Sequence, residues 1–128
     1  MTAEEAIDQA VFVALDGAVA ATVHQHVPAP NAADYPHVVL GDIDNVEPIC
    51  PGDPDIRGDL SIIVMTEGEE RQSCSALAGQ VRSILDNKIL SAGGFSIRLA
   101  ARSSTIALDE GAKGYNGIVT FGVIALTE

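Results

Sequence analysis

Only two segments of the chain carry apolar residues at helical spacing, and this small number limits the folds available to it. The first predicts a helix over residues 3 to 17, begun by a capping box of Thr2 and Glu5. The second apolar stripe follows a similar pair, Thr66 with Glu69. Two helices can cover only one face of a sheet, so an α+β fold is favoured over alternating α/β layers.

Five other segments have the composition of β-strands. Their predicted ranges are residues 21–27, 38–44, 60–65, 95–108 and 117–126. The run from Leu60 to Met65 is nearly continuous in apolar residues and predicts an inner strand buried on both faces. From Phe95 onward apolar residues alternate with outward-facing polar residues, Arg98 and Arg102 among them. We therefore expect one domain, residues 1–128, with an antiparallel or mixed sheet of four to five strands backed by two helices on one face.

The last predicted strand is apolar on both of its faces. One face carries Val119, Phe121, Val123 and Ala125, and the other carries Ile118, Ile124 and Leu126. If helices cover only one face of the sheet, the second face needs another partner, which a neighbouring subunit can supply. We predict that Ile118, Ile124 and Leu126 form an oligomer interface.

The segment from Asn45 to Asp59 is predicted to be a long loop. It holds three prolines and two glycines, a composition that disfavours both a helix and the interior of a strand. Its acids Glu47, Asp53 and Asp55 create a negative field that only Arg57 opposes. Long loops in compact domains are often functional, so we expect this one to project from the sheet.

The net charge of −11 is unevenly distributed, because the first 56 residues hold ten acids and no base. A surface that grips phosphates needs clustered Lys and Arg, and this charge distribution argues against one. The two cysteines, Cys50 and Cys74, are typical of reduced thiols in the cytoplasm. No apolar run approaches the ~18 residues of a membrane span, so we expect no membrane segment.

Two histidines are the only candidates for a metal or ligand site. His24 and His26 lie two positions apart on a predicted strand and could bind a metal together with Asp34 or His37. No third ligand stands at a recognised motif distance. The chain also lacks a complete calcium loop, phosphate loop or nucleophile elbow, so we expect neither a cofactor nor an enzyme activity.

Several short motifs carry a resemblance to a known family. They are Tyr35-Pro36-His37-Val38-Val39-Leu40-Gly41, the strand Gly58-Asp59-Leu60-Ser61-Ile62-Ile63-Val64, the pair Gly93-Gly94 and the closing Gly117-Ile118-Val119-Thr120-Phe121. In this order they cover nearly the whole chain. The sequence resembles the tail-completion, or tail-terminator, family of long-tailed phages, prophages and gene-transfer particles.

This resemblance implies a structural virion protein. Members form a ring, usually hexameric, at the head-proximal end of the tail tube, where they stop tube growth and join the head. The implied partners are other copies of the chain, the tail-tube protein and a head-tail connector, with DNA passing through the channel. In such a ring the loop from Asn45 to Asp59 is expected to line or border the channel, because acidic walls repel phosphates.

Two alternatives remain open at the level of sequence. A head-side connector or neck subunit of the same particle fits the same pattern. A small metal- or ligand-binding protein that uses His24 and His26 belongs to a different functional class.

Overall fold

The computed structural model describes residues 1–19, 21–25, 36–67, 71–109 and 114–128. Its elements in chain order are helix α1 (Ala3–Leu15), strands β1 (Thr22–His24), β2 (His37–Pro48) and β3 (Ile56–Glu67), helix α2 (Arg71–Leu85), and strands β4 (Ile89–Ala92), β5 (Phe95–Asp109) and β6 (Gly114–Thr127). The strands form a mixed sheet in the order β1-β2-β3-β6-β5-β4, which curls into a half-barrel. Only β1 and β2 run parallel; the other neighbours are antiparallel.

The sheet has six strands, so the predicted number of four to five was wrong. The missed strand is β4, which forms a hairpin with β5 through Gly93 and Gly94. Both glycines have positive φ angles, 57° and 83°, a conformation that glycine adopts without steric cost. These glycines, which directly precede the predicted strand at 95–108, form the turn between β4 and β5.

Helix α1 begins as its sequence predicts. The Thr2 hydroxyl accepts a hydrogen bond from the Glu5 amide at 3.2 Å, and the Glu5 carboxylate accepts one from the Thr2 amide at 3.4 Å. This confirms the capping box. The helix ends at Leu15, before Gly17, whose φ of 78° is incompatible with a further helical turn.

Helix α2 buries the apolar stripe that predicted it. Its buried residues are Cys74, Leu77, Ala78, Val81 and Leu85. Thr66, one half of the predicted capping pair, lies in β3 opposite Tyr115. Glu67, the next residue, also lies in β3, so Thr66 is not the N-cap of this helix and the predicted capping pair was wrong. Glu69 lies outside the described residues.

Both helices pack on one face of the sheet. Helix α2 contacts β3, β5 and β6, while α1 contacts β1, β2, β4 and β5. The residues of β6 that enter this core are Val119, Phe121, Val123 and Ala125, each at most 1% exposed. In β3, Leu60, Ile62 and Val64 are buried, but Ser61, Ile63 and Met65 between them are only partly buried. The prediction that this strand is buried on both faces was therefore wrong, because the helices cover one face alone.

The predicted loop from Asn45 to Asp59 is mostly a β-hairpin. Strand β2 continues to Pro48 and β3 begins at Ile56, so the connecting segment is residues 49–55. Glu47 pairs with Arg57 in the ladder. A shift in register between Asp44 and Glu47 coincides with Asn45, whose φ is 55°, and this bulge keeps the two strands paired beyond it.

The prolines and glycines in this region serve the turn. The amide of Asp53 donates to the carbonyl of Cys50 at 3.0 Å, with Pro51 and Gly52 at the central positions. Proline followed by a glycine with a φ of 80° is typical of a type II turn. Composition correctly indicated a turn here but overestimated its length. No described helix is long and apolar enough to cross a membrane.

Candidate functional site

The face of the sheet opposite the helices, here called the open face, is the candidate interaction surface. Side chains alternate along a strand, so the residues of β6 between its buried ones point away from the core. Ile118 is 44% exposed and Ile124 is 39% exposed. Leu126 is partly buried. The structure therefore places all three predicted interface residues on the open face, and their role as an interface remains a prediction.

A cavity of about 710 Å³ occupies the end of the open face where Ile124 lies. We call it the basic cleft. Its charged lining residues are Glu47, Arg57, Asp59, Lys88, Arg98 and Arg102. Four of the seven Lys and Arg residues of the chain are thus gathered in one place, together with only two acids. The cleft is a local positive region on a protein of net charge −11.

Arg102 and Asp59 form an ion pair across an intervening strand. A shift in register between Ala101 and Ser103 places a bulge at Arg102. The guanidinium crosses β6 over Gly122 and reaches Asp59 with an N–O distance of 2.8 Å. A Cβ at position 122 would lie 2.7 Å from Arg102 Nε, so glycine provides the space for this crossing. The Asn45 side chain donates a second hydrogen bond to Asp59 at 2.9 Å.

Arg57 and Glu47 form a second ion pair at 2.7 Å, between neighbouring residues of β3 and β2. Both side chains are 58% exposed, so solvent screens the interaction strongly. Two of the four predicted channel residues are therefore paired with each other next to the turn of the hairpin.

Lys88 and Arg98 supply the unneutralised charge of the cleft. Lys88 precedes β4, and its carbonyl accepts a hydrogen bond from the Leu99 amide at 3.1 Å. Arg98 pairs with Ile89 in the next position of the ladder. Both charged residues are exposed, and neither forms a salt bridge with any described residue.

Asp53 and Asp55, the other two predicted channel residues, lie in the connection between β2 and β3. Asp55 Oδ1 accepts hydrogen bonds from the amide and hydroxyl of Thr127 at 2.7 Å and 2.5 Å. Asp53 Oδ1 accepts a bond of 3.3 Å from the Asp55 amide. Hydrogen bonds therefore hold the connection to the end of β6, whereas the sequence predicted a loop that projects from the sheet.

The two described histidines of the predicted set contact each other. The rings of His24 and His37 make an edge-to-face contact with centroids 5.6 Å apart, and His37 Nε2 lies 2.9 Å from Met65 Sδ. His26 and Asp34, the other members of the predicted set, lie outside the described residues. Within the described ranges, no three His, Cys, Asp or Glu residues are grouped so that they could hold a metal ion.

The basic cleft was not predicted from the sequence, although the orientation of two of its arginines was. Alternation in β5 correctly predicted that Arg98 and Arg102 point away from the core. These two arginines line the same cleft as Arg57 and Asp59 because β6 lies between β3 and β5 in the sheet. Pairing between strands so far apart in the chain is not encoded in any local pattern.

Comparison with known proteins identifies the family. The family model described as "Tail completion protein gp17" matches residues 9–125. This match confirms the resemblance drawn from the short motifs. Among curated proteins no sequence matches the chain.

Two solved structures share the fold. A chain from the virion of a native gene transfer agent (GTA) particle superposes with a TM-score of 0.81 at 21% identity, covering 96% of this chain and 96% of that chain. A second solved structure, designated only by a sequence identifier, has a TM-score of 0.67 at 16% identity, covering 98% of this chain and 96% of that chain.

Proposed function

The chain belongs to the tail completion protein gp17 family, and on this basis we propose that copies of it form a ring at the head-proximal end of the tail tube. The family consists of structural virion proteins, so the chain is a component of the virion tail. The ring, which we expect to be a hexamer, ends tube growth and provides the surface to which the head attaches.

The observation that carries this proposal is the uncovered apolar face of β6. This strand lies inside the sheet, between β3 and β5, yet Ile118 and Ile124 remain exposed on it. Antiparallel sheets usually carry polar side chains on a face that meets water, so exposed apolar side chains on such a face indicate an interaction surface. A neighbouring subunit or the tail tube would remove these side chains from water.

In the proposed ring, the end of the β2–β3 hairpin borders the channel. Glu47 and Arg57 lie next to its connecting segment, and Asp53 and Asp55 lie within that segment. The net charge of −11 favours a wall that repels phosphates. DNA therefore passes the ring without binding to it, while the tail-tube protein and the head-tail connector contact its two rims.

Deletion of the gene for this chain from the genome that encodes the particle tests the proposal. We expect tails of irregular, excessive length and heads that carry no tail, both visible by negative-stain electron microscopy. Expression of the wild-type chain in trans should restore both the length and the joining.

The two phenotypes separate the proposed role from a head-side connector. Tails of normal length that fail to join heads would contradict the terminator function and favour a connector. Joined particles of normal length would contradict both roles.

A further inference from the structure

We propose that neighbouring copies of the chain bind each other through the basic cleft of one copy and the acidic edge of the next. The acidic edge is the outward side of β2 that carries Asp42 and Asp44. This inference rests on the proposed ring and names the two surfaces that would build it.

A ring requires two unlike surfaces on each subunit, because every copy must contact its two neighbours in a head-to-tail manner. The unpaired cations of the basic cleft lie near one edge of the sheet, and the acidic edge lies near the other. Strand β4 is one edge, and β2 lies at the other, with β1 paired only to His37–Val39. Beyond Val39 the outer side of β2 faces no strand among the described residues.

The edge at β4 is basic and partly apolar. Lys88 and Arg98 are exposed and lack salt-bridge partners among the described residues. Ile89, which follows Lys88 and lies opposite Arg98 in the ladder, is 65% exposed. Cationic groups beside an exposed apolar side chain are suited to an acidic segment that also carries an apolar residue.

The edge at β2 has the complementary properties. Asp42 and Asp44 are exposed and form no salt bridge with any described residue. Val46, at the same end of β2, is 41% exposed, and its side chain lies beside Ile43 on the helix side of the strand. Docking the outward side of β2 against β4 would bring the two aspartates toward Lys88 and Arg98, so that opposite charges meet.

Side chains, not backbone hydrogen bonds, would carry this contact. Strand β2 has register shifts between Leu40 and Ile43 and between Asp44 and Glu47. Bulges and charges of this kind disfavour the addition of another strand to an edge. The cleft volume of about 710 Å³ is sufficient for several inserted side chains.

A second copy fits the cleft better than DNA does. Arg57 and Arg102 are already paired with Glu47 and Asp59, which leaves only two free cations. Phosphate binding by a protein of net charge −11 would have to overcome long-range repulsion. The ten acids of the first 56 residues make the chain its own source of acidic segments.

Two charge-reversed variants test the contact. The cleft variant carries Lys88→Glu and Arg98→Glu, and the edge variant carries Asp42→Lys and Asp44→Lys. We expect each variant alone to associate about tenfold more weakly than the wild type, because two exposed pairs become repulsive. An equimolar mixture should recover association, since each acidic cleft can accept a lysine-bearing edge and each basic cleft an aspartate-bearing edge.

Sedimentation velocity over a concentration series measures this recovery, and thermal melting verifies that each variant is folded. Arg71→Glu with Arg82→Glu on α2 is the matched control, because it changes the net charge equally at exposed sites outside the cleft. The control should associate more strongly than the cleft variant. Recovery in the mixture of the cleft and edge variants, and in neither variant alone, would identify the paired surfaces.

The outcomes distinguish this contact from the ring itself. Assembly of the wild type and of both variants with equal affinity would overturn the contact and leave the ring intact. A wild type that stays monomeric at every concentration would overturn both. Loss of binding to duplex DNA in the cleft variant, with self-association unchanged, would overturn the contact and assign the cleft to nucleic acid.

Discussion

Arg102 in β5 reaches Asp59 in β3 across the whole width of β6, with 2.8 Å between Nη1 and Oδ1. The side chain of Asp59 is 24% exposed, and Asn45 donates to its other oxygen. The pair thus joins three strands at the floor of the basic cleft. Its carboxylate is more shielded than that of the pair of Arg57 and Glu47, whose side chains are both 58% exposed.

The first prediction compares these two ion pairs by double-mutant cycles. Arg102→Met combined with Asp59→Asn should give a coupling energy toward the upper end of ~0.2–1 kcal/mol, while Arg57→Met with Glu47→Gln should give a value near the lower end. Urea unfolding of each set of four proteins measures both couplings. Equal couplings would show that the shielding of Asp59 has no energetic effect.

The second prediction concerns Gly122. In Gly122→Ala the new methyl group would lie 2.7 Å from Arg102 Nε, so the guanidinium must move away from Asp59. Because the obstructing atoms belong to a flexible side chain, we expect unfolding free energy to fall by no more than about 1 kcal/mol. The coupling between Arg102 and Asp59, measured in the Gly122→Ala background, should decrease. An unchanged coupling would contradict the crossing over Gly122.

The third prediction concerns the hydrogen bonds that hold the connection between β2 and β3 to the end of β6. Asp55→Ala removes the acceptor of two hydrogen bonds from Thr127 and should lower the free energy of unfolding by about 1–2 kcal/mol. Asp53→Ala is the matched control, since its carboxylate accepts only one local bond of 3.3 Å. Hydrogen exchange of the Thr127 amide should accelerate in the first variant and not in the control. Equal changes in unfolding free energy and in Thr127 exchange in both variants would contradict a specific role for the hydrogen bonds between Asp55 and Thr127.

The elements with strong local patterns were predictable from sequence, and the cleft was not. The capping box of Thr2 and Glu5 and the buried stripe of α2 are local, so their periodicity was sufficient. The extension of the hairpin between β2 and β3 was not predicted. Its bulge at Asn45 and its turn at Pro51-Gly52 use residue types that, read from composition, indicate the end of a strand. The cleft depends on long-range strand order, which brings Arg57, Lys88, Arg98 and Arg102 together.

The fourth prediction concerns pH. Burial raises the pKa of Asp8 above its ordinary value of 3.8. The native state therefore binds this proton more tightly than the unfolded chain does, and ionisation of Asp8 destabilises the fold at neutral pH. Asp8→Asn should raise the melting temperature at pH 7. The gain should shrink as the pH falls through the raised pKa and vanish below 3.8, where the carboxyl group is neutral in both states.

Glu4→Gln is the control for this effect, because it removes one negative charge from an exposed site on the same helix. It should not raise the melting temperature at pH 7. An equal gain in both variants would attribute the effect to net charge, and a gain for Asp8→Asn that persists below pH 3.8 would contradict the role of burial.

The last prediction tests the open face as an interface. Ile118→Ser and Ile124→Ser together should leave the melting temperature nearly unchanged, because both side chains are already exposed in the free subunit. Self-association should weaken about tenfold or more, since burial of each side chain in an interface is worth on the order of 1 kcal/mol. Val13→Ser, at an exposed site on α1, is the matched control and should associate as the wild type does. Undiminished association of the double variant would place the interface elsewhere, and a large loss of thermal stability would show instead that the open face is packed within the subunit.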